Sequence, residues 1–171
     1  DLVLPSDPEV RHTISHLLIL GIENKADAKS RLEAAISAAR LGLTGVTTSL
    51  TTLLNDPDPR VAHTAFQALA RLGGKNEALD FVSLGSKGAA FALMRMHDVP
   101  GVVDDLLAKL AAEKRPEIRQ LLLATLYRLA QREGEWKGDS WGTRPDTRGP
   151  YYQPVAWAET DKILAALKTT L

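Results

Sequence analysis

Apolar residues recur along this chain with the period of an α-helix. Between residues 59 and 73, Val61, Ala65, Ala68, Leu69 and Leu72 fall at i, i+4, i+7, i+8 and i+11. Ile118, Leu121, Leu122, Thr125, Leu126 and Leu129 repeat that spacing. Leu123 and Tyr127 widen the second apolar face, as expected of a helix packed between neighbours on two sides. Partner helices fit in between, over Thr44 to Leu54, Lys75 to Ser83 and Val102 to Glu113, the last with Val103, Leu106, Leu107 and Leu110 as its stripe. No strand is expected. Runs such as Val46-Thr47-Thr48 have β character but lack period-two alternation and a paired neighbour.

The helices also repeat. Ala28 to Gly42 lies over Pro59 to Gly73 at an offset of 31, with an identical Ala-Arg-Leu-Gly ending. Related endings at Ala92-Leu93-Met94-Arg95-Met96 and Thr125-Leu126-Tyr127-Arg128-Leu129 make Arg40, Arg71, Arg95 and Arg128 markers of repeat ends, 31, 24 and 33 residues apart. The starts recur as Asp7-Pro8-Glu9-Val10-Arg11, Asp58-Pro59-Arg60-Val61 and Arg115-Pro116-Glu117-Ile118-Arg119. Proline suits a first helical turn, where its missing N–H has no intrahelical partner. Asp7 and Asp58 stand where a carboxylate caps the helix and complements its dipole. Gly21, Gly42 and Gly73 are expected to close helices in the left-handed conformation.

The Asp-Pro-x-Val and Asp-Pro-x-Val-Arg starts with the Ala-x-x-Ala-Leu-Ala-Arg-Leu-Gly ending resemble the HEAT-like repeat family, in the short form also seen in phycobilisome-lyase-type repeats, over residues 6 to 133. The resemblance implies an all-α, right-handed solenoid of about five helical hairpins. It also implies a surface for protein partners, or for neighbouring domains of a parent chain, more often than an active site.

After Glu133 the helical period stops. Residues 134–157 contain Trp136, Trp141, Trp157, Tyr151 and Tyr152, with four glycines and three prolines. A connection this long is uncommon in a compact domain, and this one carries too much apolar surface for a solvated linker, so an ordered loop is expected. Asp139 and Asp146 interleave with Arg144 and Arg148, and Pro145-Asp146-Thr147-Arg148-Gly149 has turn chemistry. Helical spacing resumes at Ile163, Leu164, Leu167 and Leu171, so residues 158–171 are expected as a C-terminal capping helix. The whole forms one domain: repeats over 1–133, aromatic loop over 134–157, final helix over 158–171. Two readings share the loop. In one the rings seal the end of the repeats. In the other, Trp136, Trp141, Tyr151, Tyr152 and Trp157 beside Arg144, Asp146 and Arg148 form a platform for a sugar, an aromatic ligand or a partner protein.

Trp141-Gly142-Thr143-Arg144-Pro145-Asp146-Thr147, with Gly149-Pro150-Tyr151-Tyr152 and Trp157, also looks like a segment closing the HEAT-like region of large multidomain secreted bacterial proteins. There the helical region sits between a dehydrogenase-like propeller and a c-type cytochrome domain. That resemblance implies an extracytoplasmic setting and redox chemistry in a neighbouring domain. The chain's own lack of Cys-x-x-Cys-His means that it attaches no haem.

Composition narrows the function classes. Twenty-one basic and twenty-one acidic residues give zero formal net charge, which removes the broad positive field of a nucleic-acid binder and speaks against a nucleic-acid enzyme built on a basic concave face. With no cysteine there is no disulfide framework, thiolate metal site or cysteine nucleophile. Apolar runs fall far short of the roughly 20 residues of a membrane span. The start at Asp1, without an initiator Met or a charged-then-apolar leader, leads us to expect a processed chain or a piece of a longer one. His12 and His16 have a zinc-compatible spacing, but no Glu follows His12, and they read as a solvated pair. His63 and His97 read as structural. Gly85-Ser86-Lys87-Gly88 reads as a helix start, Asp104-Asp105 as an early helical turn, and Glu133/Glu135 as a frayed end beside Arg132. No catalytic, cofactor or metal motif is expected, and the function class is a non-catalytic scaffold or interaction module.

Overall fold

The computed structural model describes residues 6–138 and 151–170. Among them lie α1 (Pro8–Ile22), α2 (Ala28–Leu41), α3 (Thr47–Thr51), α4 (Pro59–Arg71), α5 (Lys75–Ser83), α6 (Lys87–Leu93), α7 (Val102–Ala112), α8 (Pro116–Leu129) and α9 (Thr160–Thr170). A 3₁₀ turn covers Thr44–Val46, and two short strands, β1 (Arg132–Glu133) and β2 (Pro154–Val155), pair antiparallel.

Short polar side chains start these helices. The Asp7 carboxylate accepts from the Glu9 and Val10 N–H groups, Asp27 from Lys29 and Ser30, and Asp58 from Arg60, satisfying donors that no helical carbonyl reaches. Ser86 does the same for Ala89, so Gly85-Ser86-Lys87-Gly88 is a helix start. Gly88 is required by crowding, because a Cβ there would meet the Leu54 carbonyl oxygen at 2.6 Å.

The helices pack in chain order as pairs, α1 with α2, α3 with α4, α5 with α6 and α7 with α8. Each pair also stacks on the next. One layer runs α2, α4, α6, α8 and the other α1, α3, α5, α7. The core between them is one connected cluster reaching from Ile22 to Leu167, with Leu50, Leu69, Leu93, Leu106 and Leu126 completely buried. Each such leucine contributes about 1.5–3 kcal/mol. Where two turns meet, Arg31 is buried with Asp56: Nε and Nη2 donate to the carboxylate at 2.6 and 3.0 Å, and Nη1 donates to the Asn24 and Lys25 carbonyls. This tie joins the turn after α1 to the turn before α4. α9 packs on α8, and its Lys162 pairs with Asp104 of α7.

Several expectations are corrected. The Thr44 to Leu54 segment is not one helix but a 3₁₀ turn, the five-residue α3 and further turns. Gly42 and Gly73 close helices with φ of 66° and 68°, whereas Gly21 lies inside α1, where an added Cβ would sit 2.9 Å from the Ala34 Cβ. Its role is helix contact. Tyr127 is 76% exposed, so α8 is covered on that side by nothing among the described residues. Val10 and Leu17 of α1 are exposed as well. Strands were not expected at all, yet β1 and β2 close the base of the aromatic segment.

Candidate functional site

A helix leaves its last carbonyls without intrahelical donors, and so does α8 at its end. Four side chains from elsewhere in the chain take four successive oxygens. The Tyr151 hydroxyl donates to the Arg128 carbonyl at 3.3 Å, and the Trp157 indole Nε1 donates to that of Leu129 at 2.6 Å. The Thr160 hydroxyl donates to Ala130 at 2.7 Å. His97 Nε2 lies 2.9 Å from the Gln131 oxygen, and a carbonyl partner assigns the proton to that nitrogen. Thr160 Oγ1 also accepts the Trp157 backbone N–H at 2.8 Å, so the start of α9 and the end of α8 are joined through one hydroxyl.

The rings pack around His97. Trp157 meets it edge to face at a centroid distance of 5.0 Å and Tyr151 at 6.3 Å, while the Arg128 guanidinium lies 3.5 Å over the Tyr151 ring. Burial holds the His97 pKa below its ordinary value; Arg132 and Arg128 act in the same direction, and the Gln131 carbonyl and Asp98 oppose them. Burial raises the Tyr151 hydroxyl. His97 is thus a neutral donor.

The same segment is pinned at its base. Glu133 accepts the Tyr152 and Gln153 backbone N–H groups at 2.9 and 2.7 Å, and the Gly134 N–H donates to the Gln153 carbonyl at 2.7 Å. A side chain at Gly134 would press on that carbonyl, with a Cβ only 3.0 Å away. Glu133 is therefore not a frayed end. It is the clasp.

Of the residues expected at a ligand platform, Trp141, Arg144, Asp146 and Arg148 lie outside the described residues. Tyr151 and Trp157 are brought together around His97, with their polar atoms directed at α8. Trp136 is half-buried, and Tyr152 is exposed and takes part through its backbone. Sequence reasoning missed Thr160, Glu133 and the joint role of His97 and Arg128. The only signal for them was proximity to a helix end. Among the described residues no buried side-chain polar atom lacks a partner and no cluster could hold a metal ion. His12 and His16 are exposed, as expected of a solvated pair. No helix among the described residues is long and apolar enough to cross a membrane. A recess of about 250 Å³ lies beside Trp157 and is lined by His97, Asp98, Asp104 and Glu159 among others.

Residues 14–83 match the family model described as HEAT repeats, a span running from within α1 to the end of α5. The match supports a HEAT-like helical repeat domain, a class that generally supplies scaffolds and protein-interaction surfaces. No curated protein matches the chain.

Proposed function

We propose that this chain is a non-catalytic scaffold or protein-interaction module, a right-handed HEAT-like solenoid whose aromatic segment seals the last repeat. In this reading α9 stands as half of a fifth hairpin, and the seal leaves the stacked layers free to present a partner surface. The observation that carries the reading is the capture of four consecutive carbonyls, 128 to 131, by His97, Tyr151, Trp157 and Thr160. A ligand platform would hold its indole and hydroxyl donors free, whereas those of Trp157 and Tyr151 are engaged inside the protein. The larger, extracytoplasmic parent belongs to the same proposal and rests on the resemblance of the 141–157 run alone.

The test compares stability with sugar binding. Thr160→Val keeps the shape but orphans the Ala130 carbonyl and the Trp157 N–H, at a cost of about 2–4 kcal/mol. For a domain of this size the melting temperature should fall by about 5–15 °C. Tryptophan fluorescence should stay flat across a panel of soluble oligosaccharides. Saturable sugar binding together with an unchanged melting temperature in the variant would overturn the reading in favour of a carbohydrate module.

A further inference from the structure

The arginines that mark the repeat ends have a common place in the fold. Arg40 and Arg71 lie in the last turns of α2 and α4, Arg95 lies two residues beyond the end of α6, and Arg128 lies in the last turn of α8. These four helices form one layer in that order. Their carboxyl ends therefore carry one arginine per helix, a file that Arg132 prolongs. Neighbouring packed helices stand roughly 8–10 Å apart, and that sets the spacing of the file.

Two depressions run along it. One of about 420 Å³ lies between the ends of α4 and α6 and is lined by Arg71, Arg95 and Asp98 among others. The next, of about 410 Å³, lies between the ends of α6 and α8 and is lined by Arg95, Arg128, Arg132 and Asp98 among others. Arg95 and Asp98 belong to both, so the two are continuous. Arg95 is held over the Phe66 ring at 4.8 Å with its Nη1 donating to the Phe91 carbonyl, and Arg128 is held over Tyr151. Arg40, Arg71 and Arg132 are exposed.

Helix-dipole complementation alone does not explain the file. A lysine at a helix carboxyl end serves the dipole equally well. The other layer has Lys109 at the end of α7 and no basic residue in the last turns of α1 or α5. At the carboxyl ends arginine is confined to the α2, α4, α6, α8 layer. What arginine adds over lysine is a planar fork that binds carboxylates through two parallel hydrogen bonds.

We propose that this file is the docking ledge for an extended acidic polypeptide segment, which Arg40, Arg71 and Arg132 read directly while Arg95 and Arg128 maintain the positive potential between them. The proposal rests on the interaction-module reading above and names the partner's chemistry. An extended polyproline-II chain rises about 3.1 Å per residue and returns to the same face every third residue, so its side chains on one face repeat at about 9 Å. That matches one arginine per helix. Acidic side chains at every third position would each meet one guanidinium. A nucleic-acid backbone is disfavoured by the zero net charge of the chain, by the single-file width of the basic strip, by Glu133 beside it, and by Asp98, which lines both depressions and pairs with Arg132 at 3.7 Å.

The experiment is fluorescence anisotropy of the whole chain with a labelled peptide of about five Glu-Pro-Pro units. A Lys-Pro-Pro counterpart and a single-stranded oligonucleotide of equal charge serve as competitors. Saturable binding of the acidic peptide is expected, weakening with salt because exposed charges are screened. Arg71→Glu and Arg132→Glu should each weaken it by about tenfold or more. Lys114→Glu removes the same charge at the opposite end of α8 and should change it less than about twofold. Melting curves of all three variants separate lost binding from lost fold. No saturable binding, equal weakening by Lys114→Glu, or tighter binding of the oligonucleotide would overturn the proposal. Its failure with Thr160→Val still destabilising removes the acidic partner and leaves the scaffold, whereas sugar binding removes the scaffold reading itself.

Discussion

Trp157→Phe isolates one hydrogen bond at the seal. Phenylalanine retains a ring against His97 and the core but has no N–H for the Leu129 carbonyl, which Trp157 engages at 2.6 Å. Leu129 is completely buried, so water does not replace the indole readily, and the orphaned acceptor should cost about 1–3 kcal/mol. Trp157→Ala also removes the ring. Because Trp157 is half-buried, the total should fall near the low end of large aromatic truncations, about 3 kcal/mol. At about 2–4 °C per kcal/mol, the Phe variant should melt about 3–10 °C below the parent. Urea unfolding followed by far-UV circular dichroism is the right assay, since tryptophan fluorescence changes with the substitution itself. The midpoint should move with an unchanged denaturant slope, because the exposed surface of the unfolded chain is nearly the same. If both variants unfold within about 0.5 kcal/mol of the parent, the argument that Trp157 seals α8 is refuted.

His97 gives a pH prediction. Its folded pKa lies below 6.5, so between the two values the unfolded chain binds the proton and the folded chain does not. Stability is therefore complete above about pH 7 and declines as pH falls through 6.5 towards the folded value; His97→Gln should remove that slope in denaturation series at stepped pH. Asp56 has the opposite chemistry. Its hydrogen bonds from Arg31 hold its pKa below 3.8, so it contributes stability above pH 3.8 that is lost as pH falls through the lower folded value, and Asp56→Asn should flatten that part of the acid-unfolding curve. Gly88→Ala should destabilise by about 1–3 kcal/mol through the clash with Leu54, while Gly45→Ala, with nothing within 4 Å of the added Cβ, should not destabilise through any clash; thermal melts of the pair check both.

Local chemistry made much of this chain legible. Asp7, Asp58 and Ser86 cap helices by reaching N–H groups two or three residues on, a geometry that needs no knowledge of the rest of the molecule. Gly42 and Gly73 follow the same logic at the other end. Gly21 shows where it stops: the same residue type near the same helix end is held helical by contact with Ala34 of α2. Tyr127 shows a second limit. Periodicity places it beside an apolar face, but only the positions of neighbouring helices decide whether anything covers it, and nothing described does. The aromatics concentrated in 134–157 include Tyr151 and Trp157, which reach the end of α8. Which atoms they use depends on the turn after α6, the end of α8 and the start of α9 coming together, and a spacing of 34 residues between His97 and Gln131 carries no local signal.

By itself, the amino-acid sequence determined where most of the helices start and stop, that pairs of helices repeat, and that arginines recur near the repeat ends. These follow from backbone hydrogen-bonding rules and side-chain periodicity, which act over a few residues. Only the tertiary structure decided that the four arginines stand in one file and that His97, Tyr151, Trp157 and Thr160 converge on the end of α8. It likewise decided that Arg31 and Asp56 meet across 25 residues. The physical reason is the same in each case. A buried carbonyl, carboxylate or guanidinium must find a partner when water is removed, and which partner it finds depends on how whole helices pack against one another.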